Sequence, residues 1–258
     1  MKTAIACPSE PDPTTADRKA RASRLGFFGL AANLDDFASE PWVDALLDIE
    51  ESERKRRGLL RRMRSAKLDR FKPMADFDWS WPKSIDRHLV QDLFDLSFLK
   101  DATNIVLIGP NGVGKTMIAQ NLAHHAITKG YSARYTTASD LLNDLATQEA
   151  GRALTARLRA YTKPQLLVID EVGYLSAGVR HADMLFEVVS RRYQRNSIVV
   201  TTNRPLKEWN DVFPSAGCVV TLVDRLCHRA EVVSIDAESF RLKEAKDRQQ
   251  ERKQKRKP

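Results

Sequence analysis

The run GPNGVGKT, residues 109–116, places three glycines ahead of a Lys-Thr pair and directly follows the apolar stretch NIVLI. This is the spacing GxxxxGK[ST], lying between a strand-like run and a helix-like one. Glycines at those places let the backbone curl so that its N–H groups converge on phosphate oxygens at a helix N-terminus. Gly109, Pro110, Asn111, Gly112, Val113 and Gly114 are therefore the expected cradle. Lys115 supplies a point charge for the β- and γ-phosphates, and Thr116 a hydroxyl for Mg²⁺. Downstream, LLVIDE (166–171) puts Asp170 and Glu171 at the C-terminal end of a buried strand, the end at which open α/β sheets bind ligands. Asp170 is expected to hold the Mg²⁺ shell, and Glu171 to orient or deprotonate an attacking water. A third strand ends in Thr201, Thr202 and Asn203. Alone that turn terminates a strand; beside the other two, the Asn203 amide is a candidate to hold the water or the γ-phosphate.

The elements that must bring these groups together are legible as alternating patterns. Short apolar runs at 104–109, 132–137, 165–170, 197–203 and 231–235 read as buried strands. Helical segments at 115–128, 138–160 (with a break near Gly151) and 179–193 lie between them. The alternation predicts an α/β fold: a mainly parallel five-stranded sheet flanked by helices. The chain is 258 residues long, enough for one such domain and a smaller appendage. No window approaches the roughly 20 apolar residues a membrane span requires. The N-terminal MKTAIACPSEPDP meets prolines and acids before an apolar core forms, unlike a signal peptide. Cys7, Cys218 and Cys227 make no CxxC or metal-like cluster and read as reduced thiols of a cytoplasmic protein.

A net charge of +8 and a pI near 9.5 point to an acidic partner, nucleic acid first and an anionic membrane surface second. Residues 1–24 read as a poorly ordered end and 25–72 as a small basic helical module, with Gly58 as a point where its helix breaks or bends. Residues 73–240 read as the nucleotide-binding domain with a linker strap in front, and 241–258 as a basic tail. In the module, Arg54, Arg57, Arg61 and Arg64 fall on one helical face, a stripe suited to phosphate backbones. The bland alternative is a solvated helix paired with Glu50, Glu51 and Glu53, but those acids run out before Arg61. The strap FKPMADFDWSWPKS alternates Phe77, Trp79 and Trp81. It is read as a cover over the next domain rather than a stacking platform for nucleic-acid bases, because Asp76 and Asp78 between the rings repel phosphate. Lys129, Arg134, Arg152, Arg157 and Arg159 are further candidates for lining a path for DNA.

The order GPNGVGKT, LLVIDEVGYL, IVVTTNRPLKEW and VDRLCHRAEVVSIDAESFRLK resembles the AAA+ ATPases of the IstB and DnaC group. EESERKRRGLLRRMRSAKL and FDWSWPKSIDR look like IstB, the helper ATPase of transposable insertion sequences. The resemblance covers roughly residues 25–245. It implies that Lys115 and Thr116 belong to Walker A, Asp170 and Glu171 to Walker B, and that Asn203 is the sensor-1 residue. It further implies an ATP-dependent homo-oligomer with active sites shared between subunits, and Arg225 as the arginine finger, with Arg229 as its rival. Arg241 corresponds to a second nucleotide-sensing arginine, although the full lid of many AAA+ proteins is missing. The implied activity is ATP hydrolysis by an assembly on duplex DNA that recruits or stimulates a transposase. The alternative within the fold is a DnaC-type replicative helicase loader. A small-molecule kinase and a nucleotide-gated module without turnover are the rivals of other classes. The Asp-Glu pair and Asn203 suit water activation and speak against both.

Overall fold

The computed structural model describes residues 13–37, 40–68, 70–148, 151–174, 179–213 and 217–254. It divides into two compact units, residues 1–60 and 61–258.

The first unit holds α1 (Pro13–Arg24), α2 (Phe28–Ala32) and most of α3 (Trp42–Ala66). The stretch from Pro13 to Arg24, where composition predicts loose chain, is a helix. Its three arginines find acids on α3: Arg18 pairs with Asp44, Arg21 with Asp48 at 2.5 Å and Glu51 at 3.1 Å, and Arg24 with Glu51 at 4.0 Å. A small apolar core of Ala22, Leu25, Ala31, Leu34, Val43 and Leu47 closes beneath them. Gly58 does not interrupt α3. A glycine in a helix costs about 1 kcal/mol, and the ladder formed by Arg54 with Glu50, Arg56 with Glu53 and Arg57 with Glu53 spans the turns before it.

In the second unit a strap (residues 70–84) and α4 (Arg87–Leu93) precede β1 (Asn104–Ile108) and α5 (Lys115–Thr128). Then come β2 (Ala133–Thr137), α6 (Ala138–Ala146), α7 (Arg152–Thr162) and β3 (Leu166–Asp170). The chain continues through α8 (Val179–Arg192), β4 (Ser197–Thr202), α9 (Trp209–Val212), α10 (Val219–Cys227), β5 (Ala230–Ser234) and α11 (Phe240–Gln254). The five strands form one sheet in the order β2-β3-β4-β1-β5, every pairing parallel. Parallel neighbours need crossover helices, so both faces are covered and the strands read as unbroken apolar runs. On one face Val106, Leu167, Ile169, Ile198 and Val200 join residues of α6 to α10 in a continuous core. α5 packs across β2, β3 and β4 on the other. Among the described residues no helix is long and apolar enough to cross a membrane.

The N-terminal ends of the strands are tied by buried polar groups. Arg192 is fully buried and donates to five backbone carbonyls: Tyr161, Thr162, Pro164, Gln165 and Ser197, at 2.6–3.3 Å. Burial pushes its guanidinium down to about 9, so it remains charged at neutral pH. Asn104 accepts from the Ile198 N–H and donates to the Leu226 carbonyl, both at 2.9 Å. Together these fix the register of β1, β3 and β4 from below.

Candidate nucleotide site

At the opposite, C-terminal ends of the strands lies a cleft of about 380 Å³. Asn111 to Thr116, Glu171, Thr201, Thr202 and Asn203 line it, and Arg241 and Glu244 stand at its α11 side. All three strand-end motifs expected from sequence therefore meet in one place. Gly114 caps α5 with φ +100°, a conformation open to glycine, and a Cβ there would come within 2.5 Å of the Phe77 ring.

Lys115 is 9% exposed and its Nζ donates to the carbonyls of Gly109 and Pro110, both at 2.6 Å. Burial holds the ammonium below the ordinary lysine range, while nearby Asp170 pulls the other way. Asp170 is 2% exposed and is gripped by hydroxyls. Thr116 donates to its Oδ1 at 3.2 Å, Thr201 donates to the same oxygen, and Tyr135 donates to Oδ2 at 2.5 Å. Thr201 also accepts the Glu171 N–H at 2.9 Å. Glu171 itself has φ +63°, a left-handed conformation that costs a residue with a Cβ roughly 1–2 kcal/mol. The bent backbone turns the glutamate away from the strand line, and its side chain is exposed in the cleft. Beside it, the Asn203 Oδ1 is buried with no hydrogen-bond partner among the described residues, and a Cβ on Gly173 would collide with it.

The strap does cover the domain, and it does so at the cleft. Its backbone is pinned to α5, where Asn121 accepts from the Met74 N–H and donates to the Lys72 carbonyl, each at 2.9 Å. The Phe77 and Trp79 rings pack at 4.7 Å. Trp81 donates to the Glu238 carbonyl at 2.8 Å and meets the edge of Phe240. Lys243 lies 4.3 Å over the Trp81 ring and 3.6 Å from Asp78, and Lys72 pairs with Glu244 at 2.9 Å. Phe77, Trp81 and Phe240 thus give the cleft an apolar wall beside the phosphate cradle, suited to a nucleobase. The alternating aromatics signalled the cover but not what lay beneath it.

Arg225 is not among the residues that line the cleft. It is half-buried on α10, donates to the Ser190 hydroxyl and lies 4.9 Å over Phe186 and 5.9 Å over Tyr193. No ion pair to an acid is formed by it among the described residues. The Arg229 side chain is exposed.

The basic residues separate into two kinds. Arg54 bonds Glu50 at 2.7 Å and the Leu25 carbonyl at 2.5 Å, and Arg57 bonds Glu50 at 3.2 Å. Within the second unit Arg61 and Arg64 are exposed and form no ion pair among the described residues. Of the residues considered for a DNA path, Arg134 is buried over the Tyr161 ring and Arg157 is bound to Asp144 at 2.6 Å, so neither is available. Lys129, Arg152 and Arg159 are exposed. Cys218 and Cys227 are free thiols, and Cys7 lies outside the described residues, as does the end of the basic run RKQKRK.

A five-stranded parallel sheet whose strand ends carry a phosphate loop, an Asp-Glu pair and an Asn turn is a P-loop fold of the AAA+ type. Solved structures agree on the fold. DnaI aligns with TM-score 0.54 at 16% identity, over 63% of this chain and 90% of its own. DnaA from Aquifex aeolicus, bound to AMPPCP, aligns with TM-score 0.51 at 21% identity, over 68% of this chain and 56% of its own. A DNA replication initiation factor aligns with TM-score 0.51 at 22% identity, over 64% of this chain, which spans about half (49%) of that one. The family model of the IstB-like ATP binding protein matches residues 29–248, and the chain belongs to that family. A Geobacillus stearothermophilus protein named for ATP binding in insertion sequence IS5376 is 35% identical over 234 residues, covering 91% of this chain and 92% of its own. A Pseudomonas aeruginosa counterpart from IS21 is 32% identical, covering 77% of this chain and 75% of its own.

Proposed function

We propose that this protein hydrolyses ATP within assemblies of itself on duplex DNA, and that those assemblies recruit or stimulate a transposase during DNA transposition. One observation supports the hydrolytic part above the rest: the cleft combines Lys115, Thr116 and Glu171, with Asp170 bonded to Thr116 at its edge, while Arg225, a half-buried cation with no acid partner among the described residues, sits outside it. In this reading the loop from Gly109 to Gly114 and Lys115 hold the phosphates. The Thr116 hydroxyl and Asp170 Oδ1, 3.2 Å apart, are hard oxygen donors of the kind Mg²⁺ takes, and they would hold that ion. When bound, it neutralises charge on the phosphate oxygens. Glu171 takes the proton of, or aims, the attacking water, and the Asn203 amide steadies it. Arg225 then completes the site of a neighbouring subunit, which ties turnover to assembly.

The DNA-binding part draws on the relatives' place in insertion sequences and on the chain's charge of +8. Residues 25–72 serve as the basic module, 73–240 as the ATPase domain and 241–258 as a charged tail. Within the stripe, Arg61 and Arg64 carry more free charge for phosphates than Arg54 and Arg57, which Glu50 already compensates. The fold likeness to the DnaC helicase loader, TM-score 0.50 at 17% identity, keeps a loader acting on single-stranded DNA as the second reading. Affinities for duplex and single-stranded DNA with a non-hydrolysable ATP analogue separate the two.

The decisive variant is Glu171→Gln. It is expected to bind ATP normally, to lose turnover by about 10²-fold or more, and to leave assemblies trapped on duplex DNA in an electron-microscope or sedimentation assay. Turnover at the wild-type rate would refute the assigned role.

A further inference from the structure

We propose that Tyr135 is a positioning residue that aims the Asp170 carboxylate and thereby sets the protein's requirement for Mg²⁺. Asp170 is nearly inaccessible, yet no lysine or arginine forms an ion pair with it among the described residues. Lys115 spends its hydrogen bonds on the loop carbonyls of Gly109 and Pro110 instead. The carboxylate is fixed by hydroxyls from three different elements: Thr116 on α5 and Thr201 on β4 at Oδ1, and Tyr135 on β2 at Oδ2. The difference matters electrostatically. A guanidinium or ammonium would orient the carboxylate but cancel its charge; hydroxyls orient it and leave the full charge for a divalent cation.

The register explains why the third hydroxyl belongs to a tyrosine. Tyr135 lies opposite Val168, and it is Thr137 that stands beside Asp170. The Tyr135 hydroxyl must therefore reach two residues along the sheet, about 7 Å, which a serine or threonine cannot do. With Oδ2 held by the phenol, the carboxylate cannot swivel, and Oδ1 stays turned to Thr116, the other donor expected at the ion. Thr201 extends the same network to the Glu171 N–H, so the orientation of Asp170 is coupled to the bend that exposes Glu171.

The inference rests on the ATP–Mg²⁺ reading above, and the experiment distinguishes the two. Wild type and Tyr135→Phe, as full-length protein, are titrated with a fluorescent ATP analogue across a range of Mg²⁺ and in EDTA. Mn²⁺ binding in the nucleotide complex is followed by electron paramagnetic resonance. The expected result is equal nucleotide affinity in EDTA, with a half-saturating Mg²⁺ concentration about tenfold higher in the variant and weaker Mn²⁺ binding to match. Coincident Mg²⁺ curves overturn the proposal. So does an equal loss of affinity in EDTA, the signature of a merely structural side chain. A wild type with no Mg²⁺ dependence at all refutes the metal reading itself. Should Tyr135→Phe fail to melt cooperatively, p-aminophenylalanine at the position keeps the reach with a weaker donor. Its Mg²⁺ requirement is expected to exceed that of wild type, and equality with wild type overturns the proposal.

Discussion

The two ends of the same parallel strands are built to opposite specifications. At the N-terminal ends, polar groups are spent on the backbone: the two terminal nitrogens of Arg192 serve five carbonyls, and Asn104 uses both atoms of its amide. At the C-terminal ends, Glu171 has a left-handed backbone, Asn203 Oδ1 has no hydrogen-bond partner among the described residues, Lys115 is desolvated, and Asp170 is buried with hydroxyls rather than an ion pair holding it. Each of the latter costs free energy in the folded chain. The register is secured at the far end of the strands, and these costs are confined to the cleft.

Three substitutions test that division. Arg225→Ala carries the largest expected effect. If it completes a neighbour's site, DNA-stimulated hydrolysis falls by about 10³-fold while ATP affinity stays put in an equilibrium binding assay. Loss of binding in proportion would instead make Arg225 a structural residue like Arg192. Next comes Arg192→Met, which strands five buried carbonyls and is expected to cost about 3 kcal/mol of stability in denaturant unfolding. Nucleotide affinity of the folded fraction should not change; a selective loss of affinity would erase the contrast between the two ends. Lys115→Ala is its mirror image: about a 100-fold loss of nucleotide affinity, with thermal stability within about 1 kcal/mol of wild type, since a desolvated charge leaves along with its bonds.

How far these features could be read beforehand depends on how local their causes are. The phosphate loop and the Asp-Glu strand end announce themselves within a few residues, because backbone curvature and charge there are dictated by neighbours in sequence. Asn203 was legible only in company with those two. The helix from Pro13 to Arg24 was not, since it depends on acids of α3 that pair with Arg18 and Arg21. Gly58 misled for a related reason: ion pairs along α3 outweigh a single glycine. Arg192 and Tyr135 look like an ordinary helix cation and an ordinary strand aromatic, because their partners lie on other elements. Arg134 had the charge of a surface contact, but its place on an interior strand position puts it over Tyr161.

The apolar wall of the cleft has a consequence for how the protein is made. Its strap comes from residues 70–82, ahead of the loop, and its other side from Phe240 to Glu244, whose first turn bonds the Gly112 carbonyl at 3.0 Å. A ribosome delivers the strap first, then the loop, and the closing helix after both. The growing chain therefore carries its phosphate loop well before the apolar wall beside that loop can close.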